Sequence, residues 1–442
     1  MTPFVIQGDI CWSKSPGALE TMPDSFLVCA HEGKSAGVFA RLPEQYAALP
    51  VCDYRGRLVI PGLVDLHTHA PQFAFRGMGL DLELLDWLSL HAFPEEAKYR
   101  DLAYARAAYG RFVEHLKRGP NTRVVAFATV HVPATVILMD LLEDSGLVSM
   151  AGKVNMDRNS PGDLREESAA ASLGATREWL QLCVTRKYAH TAPILTPRFI
   201  PSCSDELMRG LGALRREMNL PVQSHLCENR REIEWVRELC PASEGYGAAY
   251  RDFDLFGSDM PEAAPTEAVA PTEAVAPTAM AHCVWSDESE MALMAQRGVF
   301  AAHCPQSNAN LASGIAPMRQ LFNAGVQVGL GSDIAGGTNA SIFRAMSDAI
   351  QVSKLRGQAI TLEEAFYCGT VGGGAFFGKA GMGFSGSFDP GYELDALVIN
   401  DSALAAPGDL PLRSRLERAV YLSDSRHIEA KYVRGRLINR NI

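Results

Sequence analysis

The chain has 442 residues, of which 47% are apolar and 21% charged, and its net charge is −10. That length exceeds one average domain and can bury a large core. The acidic balance supplies no electropositive surface to release counterions from phosphates, which excludes a nucleic-acid binder. No apolar run reaches the roughly 18 residues that a membrane span needs, so no membrane partner is expected.

The first sixty residues read as short strands and turns: Phe4-Ile6, Ser25-Ala30, Gly37-Ala40, Val51-Tyr54 and Arg57-Ile60, punctuated by Pro61-Gly62. Apolar runs then alternate with helical stretches. Leu63-Leu66 precedes Leu80-Leu90, Pro221-Ser224 precedes Arg231-Leu239, and Val326-Leu330 precedes Ser341-Leu355. Within Asp205-Asn219, the stripe Leu207, Met208, Leu211, Leu214 and Met218 has the helical period. Arg215-Arg216 and Arg230-Arg231 are expected on solvated helix faces.

Residues 265–276 repeat Pro-Thr-Glu-Ala-Val-Ala, which reads as an exposed insertion. Strands return at Asp395-Ile399, Ala419-Leu422, Ile428-Val433 and Arg436-Ile438. The expected architecture is an α/β (β/α)8 barrel over 63–383, with a small β-sandwich domain assembled from 1–62 and 384–442. A doubly wound sheet competes, but no G-x-G-x-x-G turn follows an early strand. The ten cysteines include no C-x-x-C pair, and Met1-Thr2-Pro3-Phe4 lacks the basic start of a signal peptide. Reduced thiols in a cytoplasmic protein are expected.

Val64-Asp65-Leu66-His67-Thr68-His69 carries the first chemistry. Positions i and i+2 of a strand share a face, so His67 and His69 project together, into the barrel if Leu66 and Thr68 turn to the helices. Later apolar runs end in His225, His282 and Asp333, which a barrel would gather at its catalytic face. Imidazoles with a carboxylate suit Zn²⁺, and Fe²⁺ and Mn²⁺ accept the same ligand types. Alone, each of these residues is more often a buried hydrogen-bonded histidine or a turn aspartate; their joint placement at strand ends reverses that. His131 and His303 are weaker candidates for the pocket. Glu228, three residues past His225, is placed to take a proton from metal-bound water and pass it to a ring nitrogen.

These stretches resemble guanine deaminases of the metal-dependent amidohydrolase superfamily. The resemblance lies in Pro61-Gly62-Leu63-Val64-Asp65-Leu66-His67-Thr68-His69-Ala70-Pro71-Gln72, Thr196-Pro197-Arg198-Phe199, Ser224-His225-Leu226-Cys227-Glu228, Ala281-His282-Cys283 and Ser332-Asp333-Ile334-Ala335-Gly336-Gly337. It implies one Zn²⁺ per chain on His67, His69, His225 and Asp333, a proton shuttle at Glu228, and His282 orienting the attacking hydroxide. Gln72, Arg198 and Phe199 would hold guanine, with His69, His225 and Asp333 also facing it. Ser332 stands where the family usually has Thr. A homodimer is implied by the resemblance alone. An arginine fork suits the acceptor edge of guanine, Gln72 reads a mixed edge, and Phe199 can stack on the purine.

Three rivals stay open on sequence. One is a mononuclear deaminase of another heterocycle, such as a pterin, a triazine or an oxidised purine. Another is a binuclear amidohydrolase with Lys153 carboxylated as a metal bridge. The last is a barrel kept as a non-enzymatic scaffold.

Overall fold

Strands open and close the chain. The computed structural model describes residues 2–258, 275–404 and 408–440. Four strands come first: β1 (Phe4–Ser15), β2 (Ala18–Cys29), β3 (Ser35–Phe39) and β4 (Val51–Pro61). Ten follow through the middle: β5 (Leu63–His69), β6 (Asn121–Phe127), β7 (Val148–Gly152), β8 (Val154–Asn155), β9 (Thr191–Pro193), β10 (Thr196–Pro197), β11 (Val222–Leu226), β12 (Thr278–His282), β13 (Phe300–His303) and β14 (Gln327–Leu330). Three return at the end: β15 (Ala396–Ile399), β16 (Ile428–Val433) and β17 (Arg436–Arg440). The repeat at 265–276 lies outside the described residues apart from Val275 and Ala276.

The terminal strands form one seven-stranded mixed sheet in the order β17-β16-β15-β4-β1-β2-β3. Both termini contribute to it, as expected, but hydrogen bonds link all seven strands into one sheet where a sandwich was anticipated. The two short strands expected at Val51-Tyr54 and Arg57-Ile60 are one strand, β4, whose register against β1 shifts between Gln7 and Asp9. Ala419-Leu422 is not a strand: it ends the helix Leu412–Leu422. Its apolar residues belong to a helical stripe, with Leu416, Ala419 and Val420 buried and Tyr421 and Leu422 left exposed.

The middle strands pair in parallel as β5-β6-β7-β9 and β11-β12-β13-β14. Hydrogen bonds join the two sheets at both edges. Leu195 donates to Pro221 O (2.9 Å) and accepts from Gln223 N (3.0 Å), while Asp333 N reaches His67 O (2.9 Å) and His69 N reaches Ile334 O (3.2 Å). Every residue of β5, β6, β7 and β11 is buried, as in parallel sheets covered on both faces. Val64, Leu66, Val125, Met150, Ala279, Phe300 and Ala302 form one apolar cluster between the two sheets.

Leu66 therefore packs in a cluster that also takes in Phe376 and Phe377 of the helix Gly373–Lys379. A register shift between Asp65 and Thr68 lets β5 place Leu66 in this cluster while His67 and His69 still converge above it. On the opposite face, helix residues Phe112, Val113 and Leu116 pack with Val124 and Ala126.

The expected helices form at Asp205–Met218, Arg230–Leu239 and Ile342–Leu355, and helical turns run from Leu84 to Ala97. Met218 leaves its stripe and is exposed. Arg215 is buried rather than solvated, donating to the carbonyls of Asp254, Gly257 and Ala276. All ten cysteines are free thiols. Among the described residues, no helix is long and apolar enough to cross a membrane.

Candidate active site

The strand ends bring the expected residues together. His67 and His69 leave β5, His225 leaves β11, His282 ends β12, and Asp333 follows β14. Two of these positions depart from extended backbone, His282 at φ 75° and Asp333 at φ 45°. Strain of this kind collects at sites where the surroundings hold a side chain in place. Asp65 supports it from below: its Oδ1 accepts from His67 N (3.2 Å) and Ser332 N (3.0 Å), tying β5 to the loop that carries Asp333.

The donor atoms crowd together. Nε2 of His67 and His69 lie 3.2 and 3.5 Å from Asp333 Oδ1, and His69 Nε2 lies 3.2 Å from His225 Nε2. Burial pushes the imidazoles of His67, His69 and His225 below their ordinary pKa. Burial alone would raise Asp333, but the imidazoles of His67, His282 and His69 hold its carboxyl well below the usual range.

His225 Nδ1 donates to Arg198 O (2.6 Å), which aims its Nε2 at the cluster. His67 Nε2 is buried without a hydrogen-bond partner. Converging ligand atoms of this kind are what a divalent cation would join, and His67, His69 and His225 bring theirs within 4.8 Å of one another. His67, Cys304 and Asp333 do the same.

The proton-handling groups sit beside these donors. His282 Nδ1 donates to Asn308 Oδ1 (2.8 Å), leaving Nε2 3.4 Å from Glu228 Oε2 and 3.8 Å from Asp333 Oδ2. Burial, reinforced by the Asp333 and Glu232 carboxylates, pushes the Glu228 carboxyl well above its ordinary pKa. Ser313 Oγ donates to its Oε1 (3.3 Å). Glu232 accepts from the Glu228 and Asn229 backbone N–H groups (3.1 and 3.2 Å) and from Tyr246 OH (2.6 Å), which fixes the turn carrying Glu228.

A cavity opens onto this cluster. His69, Gln72, Arg198, Phe199, His225, Glu228, His282 and Asp333 all line it, together with Leu84, Trp87, Leu88 and Glu232. Its far wall is polar and braced. Arg198 forms a buried ion pair through Nη1 and Nη2 with Glu96, and Gln72 Nε2 donates to Glu96 Oε1 (2.8 Å). Gln72 Oε1 accepts from Ala335 N (3.0 Å).

His131 and His303 do not line the cavity, although His303 is buried. Lys153 is buried against Glu166 and Val154 O. The carboxylated bridge of a binuclear centre thus finds its lysine engaged elsewhere.

Sequence reasoning missed Glu96, Glu232, Asp65 and the apolar wall of Leu84, Trp87 and Leu88. Glu232 left a signal, since Asn229 and Glu232 form a capping box at the start of the helix Arg230–Leu239. Glu96 left none, because Pro94-Glu95-Glu96 reads as the acidic first turn of any helix.

The amidohydrolase family model matches residues 58–438. Guanine deaminase from Dictyostelium discoideum is 36% identical over 398 residues, covering 88% of this chain and 84% of its own length. Guanine deaminase from Homo sapiens is 31% identical over 457 residues, covering 98% and 96%. The crystal structure of guanine deaminase from C. acetobutylicum with bound guanine in the active site superposes with a TM-score of 0.91 at 43% identity, covering 99% of this chain and 100% of that one. By this family match and by these likenesses in sequence and fold, the chain belongs to the amidohydrolase family, among the guanine deaminases.

Proposed function

We propose that this chain deaminates guanine hydrolytically, giving xanthine and ammonia, with one zinc ion held by His67, His69, His225 and Asp333. The observation that carries the reading is the cavity itself. A proton-holding carboxyl at Glu228 and a cation-ready donor set share one pocket with an arginine, a glutamine and a phenylalanine. Likeness to guanine deaminases along nearly the whole chain supports the choice of substrate. We read residues 63–383 as a closed (β/α)8 barrel bearing this site, with 1–62 and 384–442 as the flanking β domain; the hydrogen bonds at both sheet edges support closure.

A divalent cation in the site would lower the pKa of a bound water toward about 7 and so supply a nucleophile at neutral pH. The remaining work falls to the chain. Arg198 and Gln72 orient the purine by its polar edge, and Phe199 and Trp87 close on its apolar faces. Glu228 is raised by burial, so it can hold a proton and give it to ring N3, which makes C2 electrophilic. Water adds at C2 and yields a proton to Glu228, the amino group takes that proton, the C2–N bond breaks to release ammonia, and the C2 hydroxyl returns its proton to Glu228 as the carbonyl forms. His282 has Nδ1 committed to Asn308, so its Nε2 is fixed toward the nucleophile's place between Glu228 and Asp333.

The test is ammonia release from guanine set against adenine, cytosine, a pterin and a triazine. Turnover confined to guanine is expected. Preference for another heterocycle would replace the substrate and keep the chemistry.

A further inference from the structure

We propose that Glu96 is a positioning residue that keeps the purine-reading wall electrically neutral, so that the pocket favours a neutral purine over an anionic one. The inference rests on the reading of the site as a guanine deaminase pocket. Glu96 does not line the cavity; it acts through the two residues that do. It is buried on the helical turn Phe93–Ala97 and forms the ion pair with both terminal nitrogens of Arg198.

That pairing has two consequences. First, the Arg198 charge is cancelled where water is excluded, and an unpaired guanidinium there would draw an anion. Xanthine is a stronger acid than guanine, so a bare arginine would hold the ionised product and slow its exchange for substrate. Second, Glu96 and the Ala335 N–H take opposite ends of the Gln72 amide, which fixes its donor and acceptor sides. A freely turning amide would read either polarity; this one reads a single edge. The same helical segment carries Leu84, Trp87 and Leu88 onto the cavity, so one stretch of chain sets both wall and charge.

The test uses metal-loaded Glu96→Gln and Glu96→Asp beside wild type, with guanine kinetics and inhibition by xanthine at about pH 6 and about pH 8.5, where xanthine is respectively neutral and ionised. In E96Q the KM for guanine should rise about ten- to a hundredfold, the scale of a lost charged hydrogen bond. Its inhibition by xanthine should tighten at the higher pH and not at the lower. E96D keeps the charge, so its xanthine inhibition should follow wild type while its KM rises.

Arg198→Gln leaves the carboxylate alone and should weaken xanthine inhibition selectively at the higher pH; this variant decides the matter if E96Q does not fold. Unchanged KM and unchanged xanthine inhibition in E96Q, or in R198Q an inhibition that shifts equally at both pH values, would overturn the inference. Wild type that releases no ammonia from guanine would overturn both this and the reading beneath it.

Discussion

Glu228 and Asp333 are both buried carboxyls in one cavity, yet their surroundings push them in opposite directions. Burial raises Glu228 and the Asp333 and Glu232 carboxylates add to that, whereas the imidazoles around Asp333 overcome its burial and hold its carboxyl low. Glu228→Gln should therefore keep its metal and lose on the order of 10²–10⁴ in turnover, the usual worth of a placed general acid–base. Metal content and steady-state ammonia release check this together, and near-normal turnover would remove the shuttle. His225→Ala, by contrast, should lose metal and activity together; a metal-replete, active variant would take His225 out of the ligand set. Of these residues, the histidines and Asp333 were legible because strand ends are predictable from apolar runs. Glu96 was not, because nothing in its neighbours distinguishes a buried acid from an exposed one.

At the scale of elements, strand alternation explains why His67 and His69 share a direction but not where Leu66 goes. The register shift in β5 depends on its partner strand, and a partner 59 residues away cannot be read from the strand's own pattern (Asp65 to Val124). Close approach is a second such property. A methyl group on Gly331 would come within 2.8 Å of Cys304 Sγ and 2.9 Å of His67 Cβ. Gly331→Ala should push β5 away from the Asp333 loop, costing about 1–3 kcal/mol of stability and lowering metal occupancy. Thermal unfolding and metal analysis would show both losses, and a variant with full occupancy would show that the strands have room. The run Ala419-Leu422 misled for a related reason: four apolar residues fit a strand or the end of a helix, and only the buried positions Leu416, Ala419 and Val420 reveal the longer period.

At the scale of the molecule, two buried cations fasten the terminal sheet to the strands that bear the site. Arg123 of β6 pairs with Asp395 (2.7 Å) and donates to Met382 O and Gly383 O, and Asp395 also accepts from Arg434 N (2.8 Å). Asp395→Ala would strand the guanidinium, and about 3–5 kcal/mol of stability should go with it, read as a lower unfolding midpoint.

Lys431 of β16 donates to Leu116 O (2.8 Å) and Asn121 O (2.9 Å), and burial pushes its ammonium down from 10.5 to about 7. Between those two values the unfolded chain binds the extra proton, so this lysine's contribution to stability rises with pH across the window. Below the folded value both states are protonated and the cost of burying the charge is present in full. The stability of wild type relative to Lys431→Met should therefore climb from about pH 7 to about pH 10 in denaturant unfolding. A flat difference would mean that the lysine stays charged inside the protein.

By itself the sequence determined the alternation of strands and helices, the return of both termini to β structure, and the strand-end residues His67, His69, His225, His282, Glu228 and Asp333. Each of these follows from local periodicity, which a short window of chain contains. Tertiary structure alone decided that the terminal strands join one sheet, that Leu66 packs in the cluster with Phe376 and Phe377, that Arg215 is buried, and that Glu96 clamps Arg198 and Gln72. These depend on contacts between segments up to hundreds of residues apart, where burial and pairing, rather than propensity, set the energy.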